Sequence, residues 1–157
     1  MEIQVEIAHA KANETEQVAT LVYELLFELF PDQKHHFPPE KLNHAAAILL
    51  QPNNGVWSFL AKHQGDIIGM INLNECAAIY AGGKFGEITE MYIKPEYRSS
   101  GIGELLIQRS KEFAQERSWT VLEVGAPDVP RCQRTVDFYK RTGFNEVGPR
   151  LEMMLSE

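Results

Sequence analysis

The chain has little cysteine, a shortage of positive charge and no long apolar run, and each shortage closes off a class of function. Cys76 and Cys132 are the only two cysteines in 157 residues. Neither belongs to the paired spacing that holds zinc, so both read as free thiols of a reducing compartment. Lysine and arginine number 15 against 22 aspartates and glutamates, a net charge of −7. That balance disfavours nucleic acid and anionic membrane surfaces as partners. No apolar stretch approaches the roughly 20 residues of a membrane helix, and residues 1–10 lack the apolar core of a secretion signal. A cytoplasmic location is expected.

What is present is a globular composition, 44% hydrophobic, in a length that suits one domain. No repeat, linker or low-complexity tract divides it, so residues 1–157 are read as a single domain. Strict alternation marks residues 3–7 as a half-buried strand. Asn13 with Glu16 makes a capping-box-like helix start. Val18, Leu21, Val22, Leu25, Leu26 and Leu29 then share one helical face, which should stop near Pro31. A polar and aromatic link, residues 33–38, precedes a second helix with Pro39 in its first turn and Leu42, Ala46, Leu49 and Leu50 inward. Residues 56–62, 67–78 and 84–93 read as successive strands joined by turns at 64–66 and 81–83. A helix over 101–117, a short strand over 120–124 and a helix over 131–142 follow. Strand material at 144–147 and 151–155 completes a mixed α/β order.

One stretch carries most of the chemistry. The strand 84–93 ends at Lys94-Pro95, and Arg98-Ser99-Ser100-Gly101-Ile102-Gly103 leads directly into an amphipathic helix. The first turn of a helix offers unpaired N–H groups at the positive end of its dipole. Gly101 and Gly103 let the main chain approach a ligand closely, while Leu105, Leu106 and Phe113 anchor the helix below. Such an arrangement is a site for phosphate. It is not a P-loop, because no Gly-Lys-Ser/Thr follows. The first glycine of a dinucleotide fingerprint and its βαβ unit are also missing.

Arg-x-x-Gly-x-Gly in this strand–helix setting resembles the acetyl-coenzyme A pyrophosphate loop of the GNAT superfamily of N-acetyltransferases. Phe138-Tyr139, a three-residue spacer and Gly143-Phe144 resemble the last helix and turn of the same superfamily. The likeness covers residues 85–155 in motif and the N-terminal half in element order. It implies a mixed α/β fold with a mostly antiparallel central sheet, splayed between its fourth and fifth strands and flanked by four helices. The implied activity is transfer of acetyl from acetyl-CoA to a primary amine by direct attack in a ternary complex, without a metal. Arg98, Ser99, Ser100, Gly101, Ile102, Gly103 and Glu104 would hold the pyrophosphate. The main chain of Met91, Tyr92 and Ile93 would pair with the pantetheine arm as an added strand does. An amide of Met91 or Tyr92 would polarise the acetyl carbonyl. Tyr139 would protonate the departing thiolate.

The transfer needs a neutral amine, so something must accept its proton. Glu87 ranks first, at a position where some family members hold a glutamate that works through water. Glu90 ranks second, because in a regular strand it faces the opposite way; a bulge would reverse that parity. By resemblance the bulge is expected around Met91-Tyr92. A water chain to solvent ranks third. Cys132 stands where many relatives carry Asn, and a thiol nucleophile there is a further alternative. Phe30, His35 and His36 are candidates for substrate contact. Adjacent histidines with no ligand at helical spacing do not make a metal site. The acceptor stays open between a small cationic molecule and a peptide or protein amine. A homodimer is expected by family habit alone. The rival reading from another class is a non-catalytic acyl-CoA sensor or interaction domain on the same fold.

Overall fold

Apolar-rich runs bounded by turn residues build the sheet. β1 (Glu6–His9), β2 (Val56–His63), β3 (Asp66–Ala78), β4 (Gly83–Ile93) and β5 (Leu122–Val124) lie side by side in chain order. The first four pair antiparallel and β5 runs parallel to β4. The computed structural model describes residues 3–155, apart from the side chains of Lys34 and His35. Four helices complete it: α1 (Thr15–Leu29), α2 (Pro39–Leu49), α3 (Ile102–Glu116) and α4 (Gln133–Arg141).

Both faces of the sheet are covered, which is why its central strands alternate poorly. On one face Phe59, Ile71, Leu73 and Ile88 pack with Ile102, Leu106 and Ile107 of α3 and Tyr139 of α4. On the other, Leu60, Met70 and Tyr92 pack with Val18 and Leu21 of α1. α2 leans on α1 rather than on the sheet, and none of its residues is fully buried.

The expected strands 56–62, 67–78 and 84–93 form within a residue of their boundaries, and the fourth and fifth strands splay. β5 pairs with β4 only from Gly86↔Leu122 to Ile88↔Val124, while β4 continues to Ile93. Other expectations need correcting. β1 starts at Glu6, because Ile3 and Val5 pack on the core without joining the ladder. The first helix starts at Thr15, two residues later than Asn13, because residues 12–14 form a 3-10 turn whose own box is the Lys11 N–H donating to Glu14 Oε1 at 2.9 Å; Asn13 and Glu16 do not cap α1. Leu105 is 46% exposed, and Ile102 and Ile107 join Leu106 as anchors of α3. No strand forms at 144–147 or 151–155. Gly148, at φ +125, and Pro149, which cannot donate to a ladder, interrupt that run, and three-residue β5 offers it a short template.

Candidate active site

The site begins with one extra residue in β4. Glu90 lies opposite Asn72 and Ile88 opposite Leu73, so Thr89 has no partner on β3. The bulge is therefore at Thr89, earlier than Met91-Tyr92, and it puts Glu87 and Glu90 on the same face of the sheet. Their surroundings then separate them. Glu87 accepts from Arg150 Nη2 at 2.7 Å. Glu90 Oε2 is buried without a hydrogen-bond partner among the described residues, as is Asn72 Oδ1 beside it. Burial is the chief cause that raises the Glu90 carboxyl above the ordinary carboxylate range; Thr89 and Asn72 oppose it, and Glu87 adds repulsion.

Past Ile88 the far edge of β4 is open. Lys94 N–H donates to Ile68 O at 2.9 Å. In an antiparallel ladder alternate residues point their polar groups to one neighbour. Lys94, Tyr92 and Glu90 thus serve β3, and Met91 and Ile93 turn theirs to the splay. The Ile93 carbonyl there accepts from Arg98 Nε at 2.8 Å.

The loop after β4 delivers the donors. Gly101 adopts φ +86 at the cap of α3, and a Cβ there would meet nothing within 4 Å. The first helical bond runs from Leu105 N–H to Gly101 O at 3.2 Å. The amides of Ile102, Gly103 and Glu104 are accordingly left without intrahelical acceptors. Gly103 is small for a different reason from the one expected. A Cβ on it would lie 2.8 Å from Phe138 Cζ, so its lack of a side chain seats α4 while its main chain stays on the groove side. Ser99, at φ +62, accepts from Arg134 Nη2 at 2.8 Å. Ser100 Oγ instead donates to the Tyr97 carbonyl, and Ser100 does not border the groove described next. Arg98 is spoken for: its guanidinium makes a two-pronged pair with Glu28 of α1, 2.7 Å at each prong, and stacks over Tyr92.

These parts border a long groove of about 880 Å³ between the splayed strands, the end of α1 and α4. Met91, Tyr92, Ile93, Arg98, Ser99, Gly101, Ile102, Gly103 and Glu104 all line it, together with Glu87, Glu90 and Tyr139. Tyr139 is 8% exposed, and its ring packs edge-on to Phe144. Burial pushes its phenol up to about 12. A second, smaller chamber of about 330 Å³ lies under α1 and α2. Thr89 and Glu90 border both spaces, and α1 walls both: Val18, Ala19 and Val22 face the chamber, Leu25, Glu28 and Leu29 the groove.

Some expected residues are not brought here. Phe30 stacks on Phe37, 6.2 Å between ring centres, and neither it nor His36 lines either space. The His35 side chain lies outside what is described. Cys132 precedes α4, its amide bonded to Asp128 O at 2.7 Å, and it too does not border the groove. Among the described residues no cluster of three metal-ligating side chains occurs, and no helix is long and apolar enough to cross a membrane. Conversely, Asn72 and Arg134 belong to the site without having been anticipated. Arg134 carried a signal: it sits in the first turn of α4, with Arg131 just ahead of the helix and no acid in that turn, against the preference of a helix dipole. Arg131 is explained by the α1 carboxyl end, donating to Leu29 O at 2.6 Å and Glu28 O at 2.9 Å. Arg134 faces the groove.

Comparison with known proteins bears on the same region. The acetyltransferase (GNAT) family matches residues 19–144. An aminoalkylphosphonate N-acetyltransferase of Salmonella typhimurium is 29% identical over 146 residues, 90% of this chain and 85% of that protein. Among solved structures, a possible acetyltransferase from Clostridium difficile shares the fold with a TM-score of 0.80 at 16% identity, covering 98% of this chain and 99% of that one. A ribosomal-protein-alanine N-acetyltransferase from Brucella melitensis gives 0.72 at 21% identity, covering 96% and 100%.

Proposed function

The chain belongs to the GNAT family of acetyltransferases, and from that membership we propose that it transfers acetyl from acetyl-CoA to a primary amine, with both bound at once. The observation that carries the reading is Glu90, a half-buried carboxylate whose Oε2 is enclosed without a partner among the described residues, bordering both the groove and the chamber.

Acetyl-CoA supplies an activated thioester: the amine lone pair attacks the carbonyl carbon, a C–N bond forms and the C–S bond breaks. Glu90 takes the proton that the amine gives up. Its raised affinity for protons suits it to that task better than Glu87, which Arg150 already engages. The Met91 amide, turned to the splay, is the donor for the carbonyl oxygen. Tyr139 donates its hydroxyl proton to the sulfur and recovers one from solvent. A phenol held at about 12 remains a donor at every working pH. The amides of Ile102, Gly103 and Glu104, the open side of Gly101 and the Arg134 guanidinium fit a pyrophosphate. Arg98 contributes by fixing the loop to α1 through Glu28.

Thermal unfolding with and without acetyl-CoA tests the reading. Ligand at about 100 times its dissociation constant adds about 2.7 kcal/mol, a rise of roughly 5–11 °C at this chain length. Gly101→Glu, which sets a carboxylate beside the amides, should abolish the rise. No rise for the parent chain would reject the cofactor. Thiol release with an amine present separates an enzyme from a non-catalytic acyl-CoA sensor.

A further inference from the structure

The chamber under α1 and α2 is apolar along its walls and acidic at one end. Val18, Val22, Leu42, Ala46, Leu49 and Val56 give it carbon surfaces. Its floor is Asn72, Asn74, Thr89 and Glu90. Two of those carry buried acceptors with no donor among the described residues, Asn72 Oδ1 and Glu90 Oε2. Buried acceptors are costly unless a donor reaches them. A primary amine, with two or three N–H bonds on one small atom, satisfies both together.

We propose that the acceptor is a small primary amine on an apolar body, an alkylamine or arylalkylamine, held nitrogen-first against Glu90 and Asn72 with its carbon chain under α2. The volume of about 330 Å³, roughly eleven waters' worth, fits such a body. No described residue lining the chamber is lysine, arginine or histidine, so a phosphonate or carboxylate on the acceptor would find no countercharge. The second ammonium of a polyamine would lie along carbon walls that offer it no acceptor. A peptide N-terminus would bring amide groups that the aliphatic walls leave unpartnered.

The fate of the amine rests on the transfer reading, but its binding does not, and titration calorimetry of the full chain separates the two. The probes are propylamine to hexylamine and 2-phenylethylamine, against spermidine, 2-aminoethylphosphonate and an alanine-initiated tripeptide. Affinity should rise about threefold to fourfold per added methylene until the chamber is full. Ala46→Phe, which fills the chamber, should remove that slope while acetyl-CoA still binds; Ala45→Leu repeats the readout with a smaller volume change. A flat alkyl series, or tighter binding of any of the three polar probes, would overturn the proposal. Thiol release is measured on the same panel. Alkylamines that bind but are never acetylated uphold the chamber and reject the transfer. Acetylation of a polar probe with no alkylamine binding does the reverse.

Discussion

Two residues carry the proposed chemistry, and they differ in how visible they are in the sequence. Tyr139 is found by its motif, and the structure adds only its burial and its ring neighbours. Tyr139→Phe keeps those contacts and removes the proton donor, so turnover should fall roughly 10²-fold with acetyl-CoA affinity unchanged, measured as kcat against cofactor binding. Glu90 is not legible in the same way, because its value depends on which face it occupies and on Arg150 engaging its rival some sixty residues along the chain. Glu90→Gln should cost roughly 10²-fold in kcat and Glu87→Gln far less. The sign of the pH effect follows from burial. A raised Glu90 is ionised, and active, only above the usual carboxylate range, so the acidic limb of kcat should lie above 4.5 and disappear in Glu90→Gln. Folding stability runs the opposite way: the protonated form is the one that burial favours, so the contribution is full below 4.5 and lost as pH rises. Glu90→Gln should therefore raise the melting temperature at pH 8 relative to its effect at pH 4.

At the scale of elements, legibility tracks how local the signal is. Three strands and the loop-to-helix junction follow from apolar runs, turn residues and glycine. The bulge at Thr89 leaves no such mark: with both faces of β4 covered, Ile88, Met91, Tyr92 and Ile93 are apolar in either parity. The run after Gly143 shows the opposite failure. Its residues have strand character, yet Val147 and Leu151 are 87% and 92% exposed, since alternation cannot supply a partner edge. The packing of α3 on α4 is likewise a tertiary fact hidden in a loop motif. Gly103→Ala should therefore destabilise by about 1–3 kcal/mol, as its methyl meets Phe138, and it should lower activity by displacing Tyr139 next door. Gly101→Ala, with open space around it, should cost only the left-handed backbone penalty of about 1–2 kcal/mol. Denaturant melts of the two variants check the contrast.

Across the whole molecule the mixed order and single sheet were readable, but the long-range ties were not. Glu75 on β3 accepts from Arg117 Nε at 2.9 Å and Trp119 Nε1 at 2.7 Å, with Lys84 at 3.3 Å. It fastens the β3–β4 hairpin to the turn after α3. Those partners, Arg117 foremost, hold its carboxyl at about 2, against an ordinary 4.5. A depressed carboxyl stabilises the fold above its unfolded value and loses that contribution as pH falls through the folded one. The melting temperature should thus drop between pH 4.5 and 2, and Glu75→Gln should flatten that part of the profile. A different consequence follows from α1, which walls the groove and the chamber at once. Any tilt of that helix made by a guest on one side is a change of shape on the other. If the proposed ligands are those guests, the factor by which the thioester alters the hold on the amine equals the factor by which the amine alters the hold on the thioester. Neither order of arrival is privileged by the equilibrium, only by the rates.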